Sequence, residues 1–209
     1  SGQEWYGEVF NTQTSYQFEF PVPNIMTDSA VRFKVNMAAR STAASEFTVY
    51  AEGEEIHQEQ IASVNLNSAI YARSTMPKTI QFYADDNILN FTIEFNKPNT
   101  TSTGWLNYLS FNAVSRLVFE SSQMAFRNSK AVKEASTGMF RIAGASSTIR
   151  VWDVTDRFNV FEVPVDFDQD KAQFIASVDS LKEYMAFNGE EFLVPELIGP
   201  VENQNLHGY

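Results

Sequence analysis

There is no cysteine among the 209 residues. That absence removes disulfides, thiolate-bound zinc, iron–sulfur clusters and any thiol nucleophile from this stretch of chain. Histidine is scarce: only His57 and His207 occur, which leaves little for an imidazole-based dyad or triad, and no Gly-x-Ser-x-Gly turn presents a serine nucleophile. Basic runs are missing. With 15 Lys and Arg against 26 Asp and Glu, the formal charge is −11, so the surface is poorly suited to gathering phosphates and releasing their counterions, and nucleic acid is not expected as a partner. The nine glycines are scattered singly, so no loop cradles a phosphate and nucleotide binding is not expected either. No apolar run approaches the roughly 20 residues that a membrane-spanning helix needs, so no transmembrane segment is predicted. The chain opens at Ser1-Gly2-Gln3-Glu4 without a basic-then-apolar leader, an opening expected of a segment cut from a longer protein. No fixed-period repeat or low-complexity tract is present.

Aromatic residues are abundant. Eighteen Phe, eight Tyr and three Trp, within a 44% apolar composition, supply ample material for a packed core. Their spacing is that of strands. Tyr16, Phe18 and Phe20 alternate with Gln17 and Glu19, and Val31, Phe33, Val35 and Met37 alternate with Arg32, Lys34 and Asn36. The pattern recurs at Phe47, Val49 and Ala51, and at Leu89, Phe91, Ile93 and Phe95. Each run has one face for a core and one for water. Turn-rich breaks at 21–28, 52–54, 85–87 and 96–104 separate them at the spacing of a sandwich. Residues 1–120 are therefore predicted to form an antiparallel β-sandwich, jelly-roll-like in type. Within it, residues 104–113 are expected to be a strand buried more deeply than the others.

Residues 121–209 repeat the β signal on a smaller scale, at 139–142, 148–155, 159–165 and 173–178, and read as a smaller β-rich subdomain. Mild helical character is expected at 131–135, and 179–187 reads equally as strand or short helix. The tail Val194-Pro195-Glu196-Leu197-Ile198-Gly199-Pro200 should be extended and is read as a lead-in to a further domain.

Candidate chemistry is thin, and no catalytic, cofactor-binding or metal-binding residue is assigned. His57 reads as a surface residue beside Glu54 and Glu55. Asp166, Asp168 and Asp170 have a spacing that can direct three carboxylates to calcium. The glycine of an EF-hand loop is missing at Lys171-Ala172, however, and no Glu closes the loop near Val178 and Asp179, so a solvated turn is expected. Carboxylate pairs for glycoside hydrolysis can be drawn among Glu52, Glu54, Glu55, Asp85 and Asp86, yet all lie in predicted turns with no sign of a cleft. Trp5, Tyr6, Tyr50 and Tyr83 are aromatics that either stack on sugar rings or cover the core and its edges.

Two separated runs are more specific: Val151-Trp152-Asp153-Val154-Thr155-Asp156, and, some fifty residues on, Asn203-Gln204-Asn205-Leu206-His207-Gly208. Together they resemble the PorU-type sortases of the type IX secretion system of Bacteroidetes, in which a β region precedes a gingipain-like cysteine peptidase domain. Gly104-Trp105-Leu106-Asn107-Tyr108 and Met124-Ala125-Phe126-Arg127-Asn128 are similar to the same family, and residues 104–209 carry most of the likeness. Residues 1–103 fit through the Trp5-Tyr6-Gly7-Glu8 opening and the strand alternation after it.

The resemblance implies a parent that removes C-terminal targeting domains from secreted cargo and helps attach the cargo to surface lipopolysaccharide. It implies a location on the outer-membrane surface of the cell envelope, with cargo and other secretion components as partners. The catalytic His and Cys would lie in the peptidase domain outside this chain, so neither His57 nor His207 inherits a role. The Asn-Gln-Asn-Leu-His segment is then a structural seam against that domain. Bacteroidetes envelope proteins are often O-glycosylated at Asp-Ser/Thr before a small or apolar residue, a pattern found at Asp28-Ser29-Ala30 and Asp179-Ser180-Leu181, so the resemblance carries an expectation of a sugar at Ser29, in a predicted loop, over Ser180. The expected function is thus a non-catalytic β region that positions a peptidase and presents cargo to it. The competing expectation is a carbohydrate-binding sandwich with glycan as partner, for which a cleft holding two or more coplanar exposed aromatics would speak.

Overall fold

The computed structural model describes residues 4–65, 67, 69–200, 202, 204 and 205. Among these residues the protein is all-β, with no helix. The chain divides into two compact units, Ser1–Arg116 and Leu117–Tyr209.

In the first unit the alternating runs become β1 (Val9–Phe10), β2 (Ser15–Pro21), β3 (Val31–Arg40), β4 (Ser45–Ala51), β5 (Glu54–Ile61), β6 (Arg73–Ser74), β7 (Ile80–Phe82), β8 (Ile88–Asn96) and β9 (Thr103–Asn112). They pair antiparallel into two sheets, β1-β9-β3-β6 with β7 also on β3, and β2-β8-β4-β5. The strands form where the period-2 pattern gives each one an apolar face, and the two apolar faces close on each other as a β-sandwich. Phe33 of β3 stacks on Phe91 of β8 at 4.6 Å between ring centroids. Phe10 of β1 meets Phe47 of β4 edge to face at 5.2 Å. Both contacts join opposite sheets, which makes the aromatic content the material of the sandwich core.

The hairpin between β4 and β5 turns on Glu52 (φ 50°) and Gly53 (φ 80°). Two left-handed residues in succession match the twist of the flanking strands, and glycine takes the second without steric cost.

Gly104, at the start of β9, is required for a different reason. A methyl group there would stand 2.6 Å from Phe47 Cζ and 3.1 Å from Phe95 Cγ, two rings that are themselves fully buried. Gly104→Ala is accordingly expected to lower stability by about 1–3 kcal/mol through overpacking; thermal unfolding checks this, and an unchanged midpoint would contradict the packing described.

Burial corrects one expectation. The strand 104–113 is not the most deeply buried, because its second half alternates between half-buried and exposed residues. The most buried run is the second half of β3, Asn36 to Ala39, which is covered on both faces.

The second unit contains β10 (Gln123–Arg127), β11 (Thr137–Ala143), β12 (Arg150–Asp153), β13 (Phe161–Val163), β14 (Asp166–Asp168), β15 (Lys171–Ser177) and β16 (Glu183–Phe187). Its sheets run β10-β16-β12-β13 and β11-β15-β14. Phe126, Phe140, Phe174 and Tyr184 fill its core, with Phe140 and Phe174 stacked at 5.0 Å and Phe126 and Tyr184 at 5.3 Å. Leu117 and Phe119 pack on this core, as expected of residues in the second unit, which begins at Leu117.

The helical expectation at 131–135 fails for local reasons. The Asn128 side chain accepts the N–H groups of Lys130 and Ala131, Lys133 N–H donates to Val178 O, and Ala135 sits at φ 51°. The Asn128 bonds have the geometry of a helix N-cap, but the Lys133 bond diverts a donor that a helix would use, and the left-handed residue ends any helical path. Of the two readings for 179–187, strand is the one realised, as β16.

Tyr184 brings a polar atom into the core. It is 1% exposed, and its hydroxyl has no hydrogen-bond partner among the described residues. Burial, reinforced by the Asp153 charge, pushes its pKa up to about 12. The folded protein therefore holds this proton more tightly than the unfolded chain, where tyrosine titrates near 10. Stability from this group is full below about pH 10 and is lost as pH rises from there towards 12. Tyr184→Phe, which removes an unsatisfied buried group, is expected to be at least as stable at neutral pH and to lose this part of the alkaline decline; urea unfolding at pH 8 and 11 compares the two.

Candidate functional site: an aromatic groove on the β3–β9 face

An irregularity where β3 pairs with β9 marks the site. Asn36 pairs with Tyr108 but Met37 with Leu106, so Asn107 of β9 is the extra residue of a bulge. On the other edge of β3, Thr75 holds the strand: its hydroxyl accepts the Met37 N–H at 3.0 Å, its own N–H donates to Met37 O at 2.7 Å, and its carbonyl accepts the Asn36 side chain at 2.7 Å. Asn107 locks the other side by donating to Asn36 Oδ1 at 3.0 Å. These bonds bind the segment before Thr75 to the sheet. Ser74 and Arg73 pair with Ala38 and Ala39 as β6, and Tyr71 and Ala72 are carried along.

Trp105 joins from β9. Its neighbours Gly104 and Leu106 face the core, so alternation turns Trp105 to the opposite side. Tyr6 arrives through the N-terminal segment, held by Gly7 N–H to Leu106 O at 2.9 Å and Leu106 N–H to Glu8 O at 3.0 Å. The result is an open groove of about 360 Å³, lined by Tyr6, Ala38, Tyr71, Ala72, Arg73, Ser74 and Trp105. Tyr71 and Trp105 lie 6.3 Å apart with planes at 43°, so they form a bent shelf and are not coplanar. Arg40 places its guanidinium 4.3 Å from the Tyr71 ring centroid. Burial, and then the Glu4 carboxylate to which it donates at 3.1 Å, hold the Tyr6 hydroxyl above its ordinary pKa, so it stays neutral.

Among the described residues, those singled out from sequence do not assemble elsewhere. His57 lies within edge strand β5, half-buried, and its partner is Glu59 at 3.0 Å, with Lys78 on the same carboxylate at 2.7 Å; Glu54 and Glu55 are not its partners. Burial pushes the Glu59 carboxyl up, but the hydrogen bonds from Lys78 and His57 outweigh it and hold the group below its ordinary value. This is an ion-pair cluster on a strand. His207, with Asn203, Leu206 and Gly208, lies outside the described residues.

Asp166 and Asp168 sit in β14 and Asp170 in the turn to β15, where Asp170 O accepts the Ala145 N–H. Among the described residues no three acidic or histidine side chains converge on a metal position. Glu52 is engaged structurally, accepting the N–H and side-chain amide of Asn90, and Asp86 accepts the Ile88 N–H. Trp5 and Tyr83 are exposed and Tyr50 half-buried, and of the four aromatics only Tyr6 lines the groove. Ser29 is half-buried in a turn, whereas Ser180 is exposed between β15 and β16, so accessibility favours the serine that the sequence reading set aside.

The Trp152-Asp153-Val154-Thr155 run also acquires a structural reason. Buried Asp153 accepts the Thr155 N–H at 2.9 Å, Thr155 Oγ1 accepts the Glu183 N–H at 3.0 Å, and Val154 N–H donates to Glu183 O at 2.9 Å. The motif thus ties the end of β12 to the start of β16.

No protein-family model and no curated protein matches the chain. Among solved structures, the chain is similar to dimeric latent PorU from Porphyromonas gingivalis, with a TM-score of 0.83 at 20% identity. The likeness covers 100% of this chain and 21% of that one. The fold is therefore PorU-like, and the chain spans about a fifth of the PorU it matches.

Proposed function

We propose that this chain is a non-catalytic β region of a PorU-type secretion sortase, supporting a downstream cysteine peptidase domain and presenting secreted cargo to it. The observation that carries this reading is the agreement in fold over the whole chain with part of PorU. The lack of cysteine supports placing the nucleophile outside these 209 residues. Leu193, Val194, Leu197 and Ile198 are almost fully exposed, which supports the part of the reading in which further protein covers the tail.

The partners are then the peptidase domain, cargo with C-terminal targeting domains, and other secretion components, at the outer-membrane surface of a Bacteroidetes cell. The sheet orders β1-β9-β3-β6 and β2-β8-β4-β5 support reading the first unit as a jelly roll, since the chain alternates between sheets as that fold requires. Surface plasmon resonance with the immobilised chain tests the presenting role. Saturable binding of cargo that disappears when its targeting domain is removed is expected, and no binding would overturn it. A second reading, a carbohydrate-binding sandwich, draws on one observation, the groove between Tyr6, Tyr71 and Trp105, whose Tyr71 and Trp105 rings meet at 43° and are not the coplanar pair that reading expects.

A further inference from the structure

We infer that the groove on the β3–β9 face binds a glycan through a sugar ring that carries a carboxylate. The inference rests on the carbohydrate-binding reading and adds to it the class of sugar. Size and lining come first. About 360 Å³ falls in the range of small-ligand sites, and the walls are aromatic rings over a floor of small residues, Ala38 and Ala72. Sugar rings have apolar C–H faces that lie on aromatic faces, and hydroxyls at the rim that need donors and acceptors. The bent shelf of Tyr71 and Trp105 offers two facets for such faces, and Ser74 and Arg73 supply polar groups beside them.

Charge then narrows the class. Two guanidinium groups stand at this groove, Arg73 in its wall and Arg40 on the Tyr71 ring. Among the described residues neither forms an ion pair, and the one side-chain hydrogen bond Arg73 makes is from Nε to Ser63 O at 3.0 Å. Its terminal nitrogens are left for a ligand, and the guanidinium fork matches a carboxylate in shape. In a chain of net charge −11, a cationic rim on an aromatic groove favours an anion locally against the overall field. Glu4 occupies the Tyr6 end, so the acid group belongs at the arginine end. A peptide adding as a strand is disfavoured, because the sheet edge beside the groove is β6, two residues long.

Isothermal titration calorimetry of the 209-residue chain decides the matter, with tetragalacturonate and sialyllactose as acidic probes, cellotetraose as the neutral one and decaproline as the peptide. Either acidic probe is expected to bind at least tenfold more tightly than cellotetraose. That binding should weaken at least tenfold in Trp105→Ala, Tyr71→Ala and Arg73→Gln, and stay unchanged in Trp152→Ala, whose tryptophan lies in the second unit. Tyr71 is 64% exposed, so Tyr71→Ala keeps the test valid if Trp105→Ala does not fold. Equal binding of cellotetraose would overturn the acidic class and leave the carbohydrate reading standing. No oligosaccharide binding, or decaproline binding in its place, would overturn both, and acidic binding indifferent to all three groove variants would overturn the site.

Discussion

Phe91→Ala is expected to lower the unfolding free energy of the first unit by about 3–5 kcal/mol. Phe91 is 1% exposed and belongs to β8, but most of its ring partners come from the opposite sheet: Phe33 of β3 stacked at 4.6 Å, Phe82 of β7 edge to face at 5.5 Å, and Phe111 of β9 at 6.1 Å. Phe20 of β2 adds a contact from its own sheet at 6.1 Å. Truncation removes the ring's transfer free energy and leaves a cavity walled by four other rings. Those rings sit on paired strands and have little freedom to collapse into it. Urea unfolding is the measurement, with the midpoint falling and the slope unchanged. A loss below about 1 kcal/mol would mean that the two sheets do not close on this ring.

A loss of similar size, about 3–5 kcal/mol, is expected for Phe174→Ala in the second unit. Phe174 of β15 is stacked on Phe140 of β11 at 5.0 Å and 8°, and it touches Tyr184 of β16 at 5.1 Å and Phe126 of β10 at 6.3 Å. With Phe140, which touches Tyr184 at 5.2 Å and Phe126 at 6.1 Å, it joins the β11-β15-β14 sheet to the β10-β16-β12-β13 sheet. Amide hydrogen exchange in β15 and β16 localises the effect: their protection should fall sharply in the variant. Protection as high as in the wild type would contradict the described core.

Much of the architecture was legible because period-2 alternation is a local signal. β2, β3, β4 and β8 each present apolar residues at every second position, and those residues are the ones in the core. β5 was not legible as a strand. Glu54 to Gln60 is mostly polar, since an edge strand keeps much of its surface in water. β6 has two residues and no pattern at all.

The groove was half legible. Tyr6 was among the aromatics singled out, but Trp105 read as part of a buried strand, and Tyr71 drew no attention in a polar loop. What brings them together is the bulge at Asn107 on one edge of β3 and the Thr75 bonds on its other edge, and long-range features of this kind leave no periodic mark in the sequence. The exposed Asp179-Ser180 turn was obscured for a related reason, because the 179–187 run does not show where β16 begins.

The proposed service of this β region to a peptidase elsewhere in its parent is open to a deletion experiment. Residues 1–209 are removed from the parent gene, and processing and surface attachment of cargo are followed by immunoblot alongside the level of the peptidase domain. Processing should be lost while the peptidase domain remains stable and abundant. Unimpaired processing and attachment by the truncated parent would contradict it.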